Sequence, residues 1–196
     1  MNRRGDFIET FTGIQFWPLD PRPEDIEIQD IAAGLSKICR FNGQCRQFYS
    51  VAQHSVNSVL YAARLKLSAR MLLLVMLHDA AEAYVSDVAA PIKPLLPEFA
   101  AIEDGIMDAV YKHFEIEPPT DEETRTIKHI DKVMLMAEAR RLMPMKCWGD
   151  WVEATEPFES ACFEAFLPAD VAECFIEALG LLLKTEKARK AEQINT

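Results

Sequence analysis

Glycine is scarce in this chain, with only 7 in 196 residues. That weighs against an all-β fold rich in tight turns, and long stretches of Leu, Ala, Glu and Met favour helix. An excess of positive charge is also missing: the formal net charge is -10. A protein without a basic face lacks the means to grip a long nucleic-acid duplex, although a small nucleotide can still be met locally by a metal and a few cations. No apolar run is long enough to span a bilayer, the longest being Met71 to Leu77. Met1 to Asp6 hold no apolar stretch of the signal-peptide kind, so a cytoplasmic protein that meets no membrane is expected. The cysteines, Cys39, Cys45, Cys147, Cys162 and Cys174, are odd in number and none is spaced as in a zinc knuckle or redox motif. Reduced, mostly buried thiols are therefore expected.

What is present is ordinary globular composition, 49% apolar and 27% charged, over a length that suits one domain. We expect an all-α helical bundle with a single domain over 1–196, made of an irregular cover (1–29), a core (30–143) and a C-terminal extension and helix (144–196). Pro18, Pro21 and Pro23 keep the first stretch irregular, with a short strand or hairpin around Thr12 to Trp17 whose aromatics cover the core.

Asp30 suits the N-cap of a first helix with Ile31, Leu35 and Ile38 inward, ending near Arg40 to Gly43. On spacing alone, Arg40 reads as a surface cation at that helix's C-terminus. Ser50 starts a second helix, with Gln53 placed as in a capping box. Ser68 starts a third, apolar on nearly every side and reaching about Tyr84. Such a helix belongs at the centre of a bundle.

A fourth helix runs from Pro97 to Glu115, and its acids, Glu103 among them, read as a solvated face. A fifth covers Asp121 to Leu142, where Asp131 lies beside an apolar face with Lys128 and Arg140 in reach as ordinary partners. Residues 143–167, which include Trp148, Trp151 and Phe158, are less regular. A last helix begins at Leu167 to Asp170, with Val171, Cys174, Phe175, Ala178, Leu182 and Leu183 inward and a charged tail from Lys184 that frays.

The central helix runs straight into His78-Asp79, with Glu82 following. Buried charges are costly unless they are paired or bound to metal, so these residues are expected to hold something. With His54 and Asp131 from neighbouring helices they form a candidate set of four ligands for one divalent ion. Mixed imidazole and carboxylate ligands suit Mn, Fe, Co, Ni or Zn better than Ca, with Mg admissible beside substrate phosphates. Each residue alone also has an ordinary structural reading.

The ordered set Cys39-Arg40-Phe41-Asn42-Gly43, Tyr49 to Ser55, His78 to Glu82, Asp87, Pro91-Ile92-Lys93 and Asp131 resembles the HD-domain metal-dependent phosphohydrolase superfamily. The likeness covers roughly residues 25 to 143, with Phe11 to Pro23 also similar. It is closest in pattern to a small bacterial and phage branch that includes 5′-deoxynucleotidases and deoxyadenosine triphosphate triphosphohydrolases. The resemblance implies His54, His78, Asp79 and Asp131 as metal ligands, and Glu82 and Asp87 as catalytic acids. It implies Arg40, Phe41 and Lys93 as substrate contacts, a (deoxy)nucleoside mono- or triphosphate as substrate, and a homodimer. Gln53 stands where the deoxynucleotidases usually have Glu, and Phe41 where they usually have Trp, which leaves the exact substrate open. Cyclic-nucleotide or alarmone hydrolysis, and non-catalytic nucleotide binding around a structural metal, are the competing readings.

Overall fold

A helix apolar on all sides has to be surrounded, and α3 (Ala69–Leu77) is. In the computed structural model, which describes residues 3–147 and 162–194, Leu73, Leu74, Val75, Met76 and Leu77 have no exposed surface. Fully burying a side chain of this kind contributes about 1.5–3 kcal/mol. The helices around it are α2 (Val51–Arg64), α6 (Asp121–Leu142) and α7 (Pro168–Ile194). α1 (Ile28–Leu35) packs against α7, α2 and α4 (Glu82–Val85), and α5 (Pro97–His113) lies against the Pro23–Asp25 turn. The described chain is thus mostly helical. Among its described residues no helix is long and apolar enough to cross a membrane.

The only sheet among the described residues is a hairpin of β1 (Ile8–Glu9) and β2 (Gln15–Phe16), antiparallel with Ile8 opposite Phe16. Its aromatics divide. Phe16 is buried and stacks on Tyr84 with ring centroids 4.0 Å apart, whereas Phe11 is 71% exposed. Thr12 clamps the hairpin to α1, donating from its backbone N (2.7 Å) and Oγ1 (2.9 Å) to the Asp30 carboxylate. Asp30 is therefore not the N-cap. That position is Glu27, and Asp30 sits in the first turn, where a carboxylate also suits the helix dipole.

Several helix ends follow their local chemistry. Ser50 and Ser68 each accept a hydrogen bond from the backbone N–H three residues on, and Thr120 forms a full capping box with Glu123. Two other ends differ from expectation. α1 stops at Leu35 because Ile38 to Arg40 turn extended and pair with Tyr49 to Val51, through Arg40 N to Tyr49 O (2.9 Å) and Val51 N to Ile38 O (3.0 Å). Arg40–Gly43 is then a separate tight turn, with Phe41 and Asn42 left-handed at φ 56° and 51°.

α3 stops at Leu77 rather than near Tyr84. Tighter bonds follow, among them Ala80 N to Leu77 O and Glu82 N to Asp79 O, before α4. Gly34 marks where α1 and α4 touch, since a Cβ there would lie 2.7 Å from the Ala83 carbonyl oxygen.

The last helix does not fray from Lys184. It continues to Ile194, held by Arg189 on Glu186 (2.7 Å) and by Lys190 donating to the Glu115 carbonyl (3.0 Å). Val171, Phe175 and Leu179 form its buried stripe, which turns Cys174 outward. None of the cysteines is buried: Cys39 and Cys45 are half-buried, and Cys147, Cys162 and Cys174 are exposed. They sit in loops or on the outer face of α7, not in the core. Trp148, Trp151 and Phe158 lie outside the described residues.

Candidate metal centre

α2 supplies His54 from its first turn, placed by the Ser50 cap and wholly buried. The end of α3 supplies His78 and the following turn Asp79. On a regular helix these neighbours would diverge by about 100°, but after Leu77 the backbone tightens and Asp79 Oδ2 comes close to His78 Nε2. α6 supplies Asp131 from the edge of its apolar face.

His54, His78 and Asp131 converge, while Asp79 approaches the two imidazoles but stays outside the group whose ligand atoms all lie close together. His54 Nε2 is 3.3 Å from His78 Nε2, 3.2 Å from Asp131 Oδ1 and 4.0 Å from Asp79 Oδ2. His78 Nε2 is 3.2 Å from Asp79 Oδ2. Ligand atoms of His54, His78 and Asp131 all lie within 4.8 Å of one another. Ligands held about 2.0–2.2 Å from one ion stand roughly 3–4.4 Å apart, so most of these separations suit a shared cation.

The tautomers strengthen that fit. His54 Nδ1 lies 2.6 Å from Glu138 Oε1, and His78 Nδ1 lies 2.7 Å from the Val75 carbonyl oxygen. Both partners accept, so each Nδ1 carries the hydrogen and each Nε2 faces the carboxylates with its lone pair. Two lone pairs this close repel unless a proton or a cation lies between them. Burial and Arg40 oppose charging His54, but Glu138 and Asp131 outweigh them and push its pKa up to about 9. Burial likewise disfavours ionised Asp131, yet His54, His78 and Arg40 hold it below the usual carboxylate range. The donor set could therefore hold a metal ion.

Behind the ligands stands Glu138, which the sequence reading missed. It is fully buried, receives His54 Nδ1–H and the Tyr49 hydroxyl (3.0 Å), and forms an ion pair with Arg40 Nε (3.0 Å). Asn57 Nδ2 in turn donates to the Tyr49 oxygen at 2.8 Å. Burial opposes its charge, but Arg40 and His54 keep it ionised. A carboxylate behind a ligand histidine fixes the tautomer and raises ligand basicity. The available signal was an acid within the buried Ala137-Glu138-Ala139 stretch, two turns after Asp131 on the same side of α6.

Arg40 is no surface cation. Its side chain is 12% exposed, and its guanidinium nitrogens reach Asp79 Oδ2 (4.0 Å), Asp131 Oδ1 (3.9 Å) and Glu138. Asp131 thus faces His54 and Arg40. Phe41 lies beside Arg40, its ring centroid 5.9 Å from the guanidinium carbon.

Glu82 is buried next to the centre. Burial, then Asp79 and Asp87, push its pKa up to about 9 against the pull of Lys93 and Arg40. Asp87 is half-buried and close enough to exert that effect. Lys93 stands off the ligand set, with its Nζ 3.5 Å from Glu82 Oε1 and 3.1 Å from Glu103 Oε1. Glu103 therefore belongs to this ion-pair group and not to a freely solvated face. Gln53 turns away from the ligands and donates to the carbonyls of Cys162 (3.0 Å) and Glu164 (2.9 Å).

No family model matches the chain. Over 137 residues it is 42% identical to the uncharacterized protein YfdR of Escherichia coli strain K12, a match spanning 69% of this chain and 72% of YfdR. The uncharacterized protein RCAP_rcc00048 of Rhodobacter capsulatus is 35% identical over 130 residues, 63% of this chain and 66% of that protein. Neither relative's name gives an activity.

Proposed function

The chain belongs to the YfdR family, and we propose that it is a metal-dependent phosphohydrolase of the HD-domain type acting on (deoxy)nucleoside mono- or triphosphates. The observation that carries this reading is the pair of imidazoles whose Nε2 lone pairs meet among Asp79 and Asp131, with the Nδ1 atoms fixed from behind. The nucleotide part rests on the motif resemblance.

A divalent ion bound by His54, His78, Asp79 and Asp131 would supply a Lewis acid that activates water and offsets phosphate charge. The remaining roles belong to the chain. Arg40, close to two of the ligand carboxylates, is placed to bind an anionic oxygen of the phosphoryl group and to stabilise charge that develops there. Glu82, with its raised pKa, holds a proton near neutrality and suits protonation of the leaving oxygen. Lys93 holds Glu82 in place through its ion pair, and Asp87 supports the proton on Glu82 by charge repulsion.

The test is a product assay on metal-stripped protein reloaded with Mn, Co, Fe, Ni, Zn or Mg. The expected result is metal-dependent release of nucleoside together with phosphate or triphosphate, with one tightly bound ion per chain that His78→Ala loses. Stoichiometric metal binding without cleavage of any nucleotide would overturn the hydrolase reading. A wild-type protein that holds no metal would overturn the metal centre itself.

A further inference from the structure

The turn that presents Arg40 is flanked by two thiols in contact. Cys39 precedes Arg40 directly, Cys45 follows the turn, and their sulfurs are 3.5 Å apart. Cys45 Sγ also reaches the Arg40 carbonyl oxygen at 3.6 Å. The backbone is already pinched here, because Cys39 pairs antiparallel with Ser50. A disulfide sulfur pair lies about 2.05 Å apart, so closing this one calls for a movement of roughly 1.5 Å. Both thiols are half-buried, which leaves each a path to a small oxidant. Left-handed Phe41 and Asn42 fold the intervening segment tightly enough to bring the sulfurs together.

We propose that Cys39 and Cys45 form a reversible disulfide that cross-links the Arg40 turn and restrains Arg40 relative to the metal centre. The oxidant is a low-molecular-weight disulfide such as oxidised glutathione. One protein thiolate attacks a glutathione sulfur, breaks that S–S bond and releases one glutathione thiolate. The second protein thiolate then attacks the resulting mixed disulfide, forms the Cys39–Cys45 bond and releases the other glutathione. Two electrons pass from the protein to the oxidant, and the two thiol protons end on the two glutathiones. Intracellular disulfides are usually transient and redox-sensing, and this one would act on the residue placed to meet phosphate.

In its present position Arg40 is held by Glu138 and lies near Asp79 and Asp131. Binding a phosphoryl oxygen beside a bound metal would turn its guanidinium from these carboxylates while the residue stays at the centre, and a cross-linked turn resists that turning. This consequence rests on the proposed phosphohydrolase function, whereas formation of the disulfide does not.

The experiment takes the full chain through a glutathione redox series and counts free thiols, then maps the linked peptides by mass spectrometry. The expected result is a loss of two of the five thiols, joined as Cys39–Cys45, restored by dithiothreitol and absent in both Cys39→Ser and Cys45→Ser. Five thiols throughout, or a linkage between other cysteines, would overturn the proposal. In the Mn-loaded protein, inorganic phosphate should bind about fivefold more weakly, or worse, in the oxidised form, a typical coupling between linked sites, with metal content unchanged. Equal phosphate affinity in the two forms would overturn control of Arg40. Absence of nucleotide turnover in either form would count against the hydrolase reading and leave the thiol result to stand on its own.

Discussion

Glu138 governs what His54 can do. One carboxylate fixes the imidazole tautomer, receives the Tyr49 hydroxyl and neutralises Arg40, all without exposed surface. Glu138→Gln keeps the shape and removes the charge. Metal affinity should fall about 10- to 100-fold, as for other partners that orient ligand histidines. The fold should also lose about 3–5 kcal/mol, because Arg40 is left buried without its main counterion. Competition with a chelating dye measures the first effect and urea unfolding the second. Unchanged metal affinity would show that Glu138 only fills space. The candidate group of His54, His78 and Asp131 was legible in the chain because histidines and an acid stood where apolar periodicity called for something else. Glu138 was not, since its partner His54 lies 84 residues away and α6 carries charge on many sides. Arg40 was misread from spacing for the same reason: its carboxylate partners are Asp79, Asp131 and Glu138, which spacing within its own segment does not reveal.

Among the elements, the caps at Ser50 and Ser68 and the span of α6 follow from local chemistry and could be read directly, whereas the capping box at Thr120 was not anticipated. The premature ends of α1 and α3 could not. α1 yields to a pairing with residues beyond the next turn, and α3 tightens where two adjacent side chains must both face the site. The contact of α1 with α4 also depends on a missing side chain. A methyl group at residue 34 would press on the backbone of Ala83 at 2.7–2.9 Å, and backbone has no rotamer with which to yield. Gly34→Ala should therefore cost about 1–3 kcal/mol, the usual effect of overpacking. A lowered urea midpoint reports it, and an unshifted midpoint would mean that α1 and α4 separate freely. Because α4 opens with Glu82, the same variant should also disturb the centre.

Across the whole molecule the formal charge is -10, and acids gain most where a cation fixes them. Arg70 on α3 grips the entry to α6, donating to the carbonyls of Glu117 and Pro118 and to both oxygens of Glu123. That hydrogen-bonded pair brings the pKa of Glu123 from 4.5 down to about 2. A carboxylate with a lowered folded pKa stabilises fully above its unfolded pKa and loses that contribution as pH falls through the folded one. The contribution is thus complete above about pH 4.5 and drains away towards pH 2. Arg70→Ala should flatten the fall in thermal midpoint over that window. An identical acid profile in the variant would remove the pair from the account. Overall helicity was evident from composition, but which helices meet was not, because no local pattern encodes contacts between distant segments.

The position of α7 has a bearing on time as well as space. It packs on α1, α2 and α3, so the last helix described in the chain closes over the first. Contacts between segments so far apart in sequence form late, after the entropy of closing the intervening chain has been met. During synthesis the apolar flank of α3 therefore stays uncovered until residues 171–179 have emerged. Over that interval the nascent chain offers a sticky surface that a chaperone would recognise.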